Sequence, residues 1–411
     1  MWARIDAIDP SPFSIHSAYV AVNLHRLNEF SPLILKTKDD GKTWEKIING
    51  LPDDEYVNVI RSDTKQQGLL FAGTNRNVYV SFNDGESWQP LRLNFPTTSV
   101  RDLLVHDNDL IAATQGRAIW ILDDLQPLHE LSAGTVSEPI HLFHPIDVWR
   151  IRGNENRDTP WPPSTPIGEN PPDGAIIDYW LKEDVKEISI KISDEEGNII
   201  RRFSNADMPE KLTADRYFDK RWLGTPQILS GKSGMHRFIW DLRYNKPPAL
   251  KYDYAISGLW MKGTPLKPQG PLVLPGIYLV TLTVDGKEYD QQLNVKMDPR
   301  VEVTIEDLKQ QLELAQKVGS VLKQLSEMNN KVDHLLKDSA NTAKETIDSL
   351  KLYKAGITSL DGVFASLVTS VQSADTAPTQ GQKELFKEYI ETFEKLFLRL
   401  QKMLNMYKLK M

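Results

Sequence analysis

Short runs of alternating apolar and polar residues fill the first 125 residues, and two of them lead into the same octapeptide. Leu33 to Leu35 precedes Thr37-Lys38-Asp39-Asp40-Gly41-Lys42-Thr43-Trp44, and Val78 to Val80 precedes Ser81-Phe82-Asn83-Asp84-Gly85-Glu86-Ser87-Trp88, 44 residues later. Upstream of each lies another such run, Ala18 to Val22 and Leu69 to Thr74. A third unit follows in Val100 to Val105, Leu110 to Thr114 and Ile119 to Leu122, where Ala112-Ala113-Thr114 echoes Ala72-Gly73-Thr74. Period-two alternation predicts strands.

Short strands recurring at a spacing of about 40 residues predict propeller blades. Within each octapeptide the third residue, Asp39 or Asn83, can accept hydrogen bonds from turn amides,. Gly41 and Gly85 supply a positive φ, the hydroxyls Thr37, Thr43, Ser81 and Ser87 satisfy nearby backbone, and Trp44 and Trp88 are expected to pack under the turn,. These ten residues therefore read as a structural hairpin tip between the third and fourth strands of a blade. The octapeptides resemble the Asp-box, or BNR, repeat of sialidases, xyloglucan-active glycoside hydrolases and the sortilin family. That resemblance implies a β-propeller and no particular substrate, because unrelated activities share the repeat.

Counting strands leaves the array short. The first unit offers four (Ala3 to Ile8, Ala18 to Val22, Leu33 to Lys36, Thr43 to Ile47), the second likewise from Val57 to Leu91, but the third only three. Propellers close with about four or more blades. The expectation is a partial propeller, the C-terminal part of a larger assembly, whose partner is either N-terminal blades from elsewhere or another copy of itself.

Beyond a proline-crowded stretch (Pro160, Pro162, Pro163, Pro166, Pro171, Pro172), longer alternating runs begin. Ala175 to Leu181, Glu187 to Ser193, Asn198 to Phe203, Met235 to Leu242, Gly276 to Val284 and Glu288 to Val295 predict six strands of a β-sandwich,. The phrases from Gly168 to Gly174, Arg237 to Arg243 and Pro275 to Tyr278 resemble the immunoglobulin-like domain that follows the propeller in bacterial sortilin-type BNR proteins. From Thr304, whose side chain makes a capping box with Asp307, apolar residues recur at helical spacing through Leu336,. Ala343, Leu350, Ile357, Phe364 and Val371 stand seven apart, and Phe386, Ile390, Phe393, Phe397, Leu400, Leu404 and Tyr407 alternate four and three. Those are heptad seams, expected to close as a three-helix bundle, with Gly356 and Gly362 as places for a kink.

The fold class is thus multidomain, mainly β with an α tail. Residues 1–133 would hold the partial propeller, 134–174 the Pro-rich connection, 175–302 the sandwich and 303–411 the bundle.

Composition narrows the chemistry. With no cysteine, disulfides, Cys-ligated zinc and thiol nucleophiles are out; a net charge of −7 with no basic segment argues against a nucleic-acid partner,. Met1-Trp2-Ala3-Arg4-Ile5 does not read as a signal peptide, and no apolar run reaches about 18 residues, so no membrane span is expected,. His141 and His144 would point to opposite faces of a strand, which disfavours a metal site,. Gly231-Lys232-Ser233-Gly234 lacks the upstream glycine of a phosphate loop, and Trp161 among its prolines reads as part of a stiff connection,. No cofactor, metal ligand set or catalytic residue is assigned. The leading expectation is a non-enzymatic binding or scaffold protein with a protein or carbohydrate ligand, exported as the resemblance implies. The rival is a glycoside hydrolase whose catalytic acids lie outside this chain.

Overall fold

The computed structural model describes residues 2–131, 133–152, 168, 170–208, 227–254, 266–337 and 344–406. Trp161, Pro160, Pro162, Pro163, Pro166, Ala343 and Tyr407 lie outside these residues. The chain divides into two compact units, one of residues 1–144 with 178–182, the other of 145–177 with 183–411.

In the first unit the alternating runs form three antiparallel meanders. Blade 1 is β1 (Arg4–Pro10), β2 (Ala18–Asn23), β3 (Ile34–Thr37) and β4 (Glu45–Lys46). Blade 2 is β5 (Val57–Ser62), β6 (Leu70–Thr74), β7 (Val78–Ser81) and β8 (Gln89–Pro90). Blade 3 has β9 (Val100–His106), β10 (Asp109–Thr114) and β11 (Ile119–Leu122). Each first strand carries one extra residue at the same place, Asp6, Asn58 and Arg101. Such a bulge bends the strand and locks its register, so the three blades correspond residue for residue.

Face-to-face packing of these meanders gives a β-propeller-like arrangement with blade 2 in the middle. One face of blade 2, through Val57, Ile60, Leu70, Ala72 and Tyr79, packs with Tyr19, Ala21 and Ile34 of blade 1. Its other face, through Val59, Phe71, Val78 and Val80, packs with Val100, Leu103, Leu110 and Ala112 of blade 3. A strand buried on both faces carries apolar residues without alternation, and β6 and β7 are buried throughout,. Close approach needs Gly73, where a Cβ would lie 2.6 Å from Val100 and from Val59.

After blade 3 come α1 (Gln126–Glu130), α2 (Ala133–Ser137) and β12 (Ile140–Leu142). The chain continues through β13 (Val148–Arg150) to β14 (Ala175–Leu181), whose second half pairs antiparallel with β12 in the first unit.

The second unit holds a five-stranded sheet in the order β13, β21 (Lys287–Met297), β20 (Gly276–Val284), β15 (Ile188–Asp194) and β16 (Ile199–Ser204). Its pairs are antiparallel except β13 with β21. The turns that join β15 to β16 and β20 to β21 carry Gly197 and Gly286 at positive φ. Strands β17 (Gly234–Trp240), β18 (Asp253–Tyr254) and β19 (Leu266–Lys267) complete the described β-structure, and Trp240 is fully buried, its ring edge-on to Tyr278.

Three helices belong to the same unit: α3 (Ile305–Lys337), α4 (Lys344–Val371) and α5 (Gln380–Met406). The Asp307 amide donates to the Thr304 hydroxyl at 3.1 Å and the Thr304 amide donates back to the Asp307 carboxylate at 3.4 Å, as the capping box requires,. The seams meet in one core containing Val318, Leu322, Leu325, Leu350, Ile357, Phe364, Leu400 and Leu404. Helix α4 runs unbroken through Gly356 and Gly362. Gly356 serves packing instead of a kink, since a Cβ there would come within 3.3 Å of Leu396 on α5.

Arg150, at the end of β13, is fully buried and reaches two structures at once. Its Nε donates to the Val273 carbonyl at 2.7 Å and its Nη1 to Asp375, beyond α4, at 2.6 Å. Arg152 meets the same carboxylate at 2.8 Å. Burial pushes the Arg150 pKa down, and the Asp375 carboxylate pulls it back up. Gln311 of α3 donates to the Val371 carbonyl at 2.8 Å, and Asp361 of α4 accepts from the Leu250 amide at 3.0 Å. Helices and sheet in this unit are therefore joined by buried polar contacts as well as by side-chain packing.

Candidate functional site

The octapeptides form the tips after β3 and β7, and their polar atoms bond inward. In the first, the Gly41 amide donates to the Thr37 hydroxyl at 2.9 Å, and that hydroxyl donates to Asp39 at 2.9 Å. Asp39 also accepts from the Thr43 amide at 2.8 Å and the Thr43 hydroxyl at 2.6 Å. The hydroxyl and amide of Thr43 hold its carboxyl below the usual carboxylate range. The second tip repeats the set: Gly85 amide to Ser81 at 3.0 Å, Ser81 to Asn83 at 3.0 Å, Ser87 amide to Asn83 at 2.9 Å, Asn83 to Ser87 at 3.0 Å. Gly41 and Gly85 have φ of 81° and 90°. Gly85 has a steric reason too, because a Cβ there would sit 2.4 Å from Ile47 of blade 1.

The two tryptophans part company. Trp88 is buried, and its Nε1 donates to the Ile47 carbonyl of blade 1 at 3.0 Å. Trp44 is 44% exposed and donates to the Gly41 carbonyl of its own turn at 3.0 Å. Both were expected to be buried. The difference is the neighbour: blade 1 covers Trp88, whereas no described blade precedes blade 1 to cover Trp44.

Other acidic groups fasten one blade to the next, which the octapeptide pattern does not reveal. Asp84 of blade 2 accepts from the Tyr19 hydroxyl of blade 1 at 2.5 Å and pairs with the buried ammonium of Lys36. Burial and the Asp84 carboxylate both push the Tyr19 hydroxyl's pKa up. Asp9 of blade 1 accepts from the Ser62 amide and hydroxyl of blade 2 at 2.7 and 2.5 Å. Arg61 of blade 2 donates to the Leu103 carbonyl and to Asp102 of blade 3, both at 2.8 Å. Within blade 2 the buried Glu55 accepts from Thr74 at 2.7 Å and from Tyr79 at 3.1 Å, and burial followed by the Glu55 charge pushes the Tyr79 pKa up to about 12. Asp63 accepts from His129 of α1 at 3.0 Å and from the Lys65 and Gln66 amides at 2.7 and 2.6 Å. Burial alone would raise its pKa; these bonds outweigh it and hold the carboxyl below its usual range.

The two weighed motifs also find local partners. His141 meets Glu138 at 2.9 Å and Glu130 at 3.2 Å, while the His144 amide donates to Glu130 at 3.0 Å. Among the described residues no group of three or more His, Asp or Glu side chains is arranged to hold a metal ion. Lys232 pairs with Asp184 at 2.8 Å, and the Ser233 amide donates to the same carboxylate at 2.8 Å. Among the described residues no helix is long and apolar enough to cross a membrane.

No family model and no curated relative matches the sequence. Solved structures with partial likeness include YCF48 bound to D1 peptide, at 18% identity and a TM-score of 0.23, covering 29% of this chain and 37% of that one. The GH74 enzyme of Niastella koreensis matches at 17% identity and a TM-score of 0.25, covering 34% of this chain and 26% of the enzyme. The GH74 xyloglucanase from Xanthomonas campestris matches at 10% identity and a TM-score of 0.23, over 75% of this chain and 40% of the enzyme. The chain thus spans between about a quarter and two fifths of these structures' length.

Proposed function

We propose that this chain is a non-enzymatic binding or scaffold protein. Its blades belong to the Asp-box class of the sortilin-type BNR proteins, and its five-stranded sheet to an immunoglobulin-like sandwich. In this reading the protein works outside the cytoplasm, as those proteins do, and takes a protein or carbohydrate ligand.

The observation that carries it is the engagement of the blade carboxylates. Asp39 holds its own tip, while Asp9, Asp84 and Asp102 bind donors on neighbouring blades. Glycoside hydrolysis needs two carboxyl groups facing a sugar at about 5 to 10 Å, one of them free to give up a proton. Carboxylates anchored to amides, hydroxyls and cations serve cohesion.

Incubating the purified chain with a panel of polysaccharides, xyloglucan included, and measuring reducing ends is expected to give no release above buffer. Saturable release that an Asp→Asn change in the blades abolishes would overturn the scaffold reading.

A further inference from the structure

After blade 3, one imidazole joins three pieces of chain. His141 of β12 stands between two carboxylates, its Nδ1 2.9 Å from Glu138, just past α2, and its Nε2 3.2 Å from Glu130, at the end of α1. A carboxylate oxygen only accepts, so each contact is a hydrogen bond only if that ring nitrogen carries a hydrogen, and a neutral imidazole carries one. Whichever atom holds it, the arrangement contains one proton more than a neutral imidazole and two carboxylates bring. His129 differs. Its Nε2 meets Asp63 at 3.0 Å, a bond that a neutral ring with its hydrogen on Nε2 already makes,.

Glu130 is the fixed end of the cluster. Its carboxylate also accepts from the Gln126 side chain at 2.8 Å and from the His144 amide at 3.0 Å, and its carbonyl accepts from the Thr135 hydroxyl at 2.7 Å. Glu138 is half exposed, whereas His141 and Glu130 are mostly covered. The Phe143 ring meets the imidazole edge-on, with centroids 4.7 Å apart. Two charged residues of β14 and its end stand nearby: Lys182, whose Nζ donates to the Ser137 carbonyl at 3.3 Å, and Asp178, whose carbonyl accepts from the Phe143 amide at 3.1 Å. The Lys182 amide donates to the Pro139 carbonyl at 2.9 Å, and His141 pairs with Trp180 across the strands. The segment that the imidazole fastens is therefore the one on which the end of β14 is seated.

We propose that His141 is a proton-operated clasp. With both ring nitrogens protonated it ties α1, α2 and β12 together; without the extra proton it holds one carboxylate and drops the other. Glu130 and Glu138 then face each other with no cation between them, and like charges repel. Half-exposed Glu138 turns to water, and residues 134–139 come away from β12. The closed clasp binds one proton more than the open one, so it is favoured at low pH and weakens as pH rises through about 5 to 8, where histidine ordinarily changes charge. This goes beyond the scaffold reading and is tested apart from it: polysaccharide turnover would leave the clasp untouched, and a segment indifferent to pH would leave the blade carboxylates engaged.

Hydrogen exchange of the full chain at about pH 5.5 and about pH 8, with each amide's protection taken relative to its intrinsic rate at that pH, reads the clasp directly. Protection in residues 134–142 and 179–182 is expected to fall about tenfold or more at the higher pH, the cost of losing a hydrogen bond to a charged group. Peptides from β6 and β7 are expected to keep theirs. Glu130→Gln and Glu138→Gln each put an amide N–H where an oxygen stood, so that a neutral ring bridges both side chains, donating to one and accepting from the other. In either variant, checked for native circular dichroism, the fall is expected to disappear. Wild-type protection that is equal at the two pH values, or an undiminished fall in a folded Gln variant, would overturn the clasp.

Discussion

Trp88→Ala is expected to destabilise the first unit severely, by about 3 to 5 kcal/mol, the usual cost of removing a large buried aromatic. The ring is 3% exposed between blades 1 and 2, and its loss also leaves the Ile47 carbonyl without its 3.0 Å donor. Trp44→Ala, at the same place in the preceding repeat, removes a half-exposed ring and should cost only about 1 to 2 kcal/mol. Urea melts of the two variants followed by circular dichroism measure this contrast. Equal losses would mean that the tips are held by the motif alone, independent of the blade that covers them.

Asp375→Ala should be as damaging to the second unit. It strands the guanidinium of Arg150, which is 1% exposed, and weakens the hold on Arg152. Removing one partner of a buried ion pair typically costs about 3 to 5 kcal/mol, because the remaining charge is left desolvated and unpaired. Replacing the pair together, Arg150→Met with Asp375→Leu, removes that penalty and should be better tolerated than Asp375→Ala alone. Thermal melts of the three proteins decide the matter, and a single variant as stable as wild type would show that water reaches the site.

The repeat was legible because each Asp-box tip is self-contained: Thr37, Asp39, Gly41 and Thr43 bond to one another over a few residues. The helices were legible for a similar reason, their seams being written at fixed intervals from Leu308 to Leu404. Contacts between blades left little trace in the sequence. Nothing around Asp84 distinguishes it from Asp40, the equivalent residue of the first tip, yet Asp84 receives Tyr19 and Lys36 from the blade before while Asp40 meets the exposed His16 of its own blade. The exposure of Trp44 was missed in the same way. The Arg150–Asp375 pair joins residues 225 positions apart, a separation no periodicity encodes.

Blade 2 is clamped between two blades that repeat its own register. Hydrogen exchange measures this most directly, because amides in strands bonded on both sides and covered on both faces open last. Peptides covering β6 and β7 should be the most protected in the first 125 residues, ahead of those from β1 and β11. Exchange of β6 and β7 as fast as the segment between β8 and β9 would contradict the blade stack.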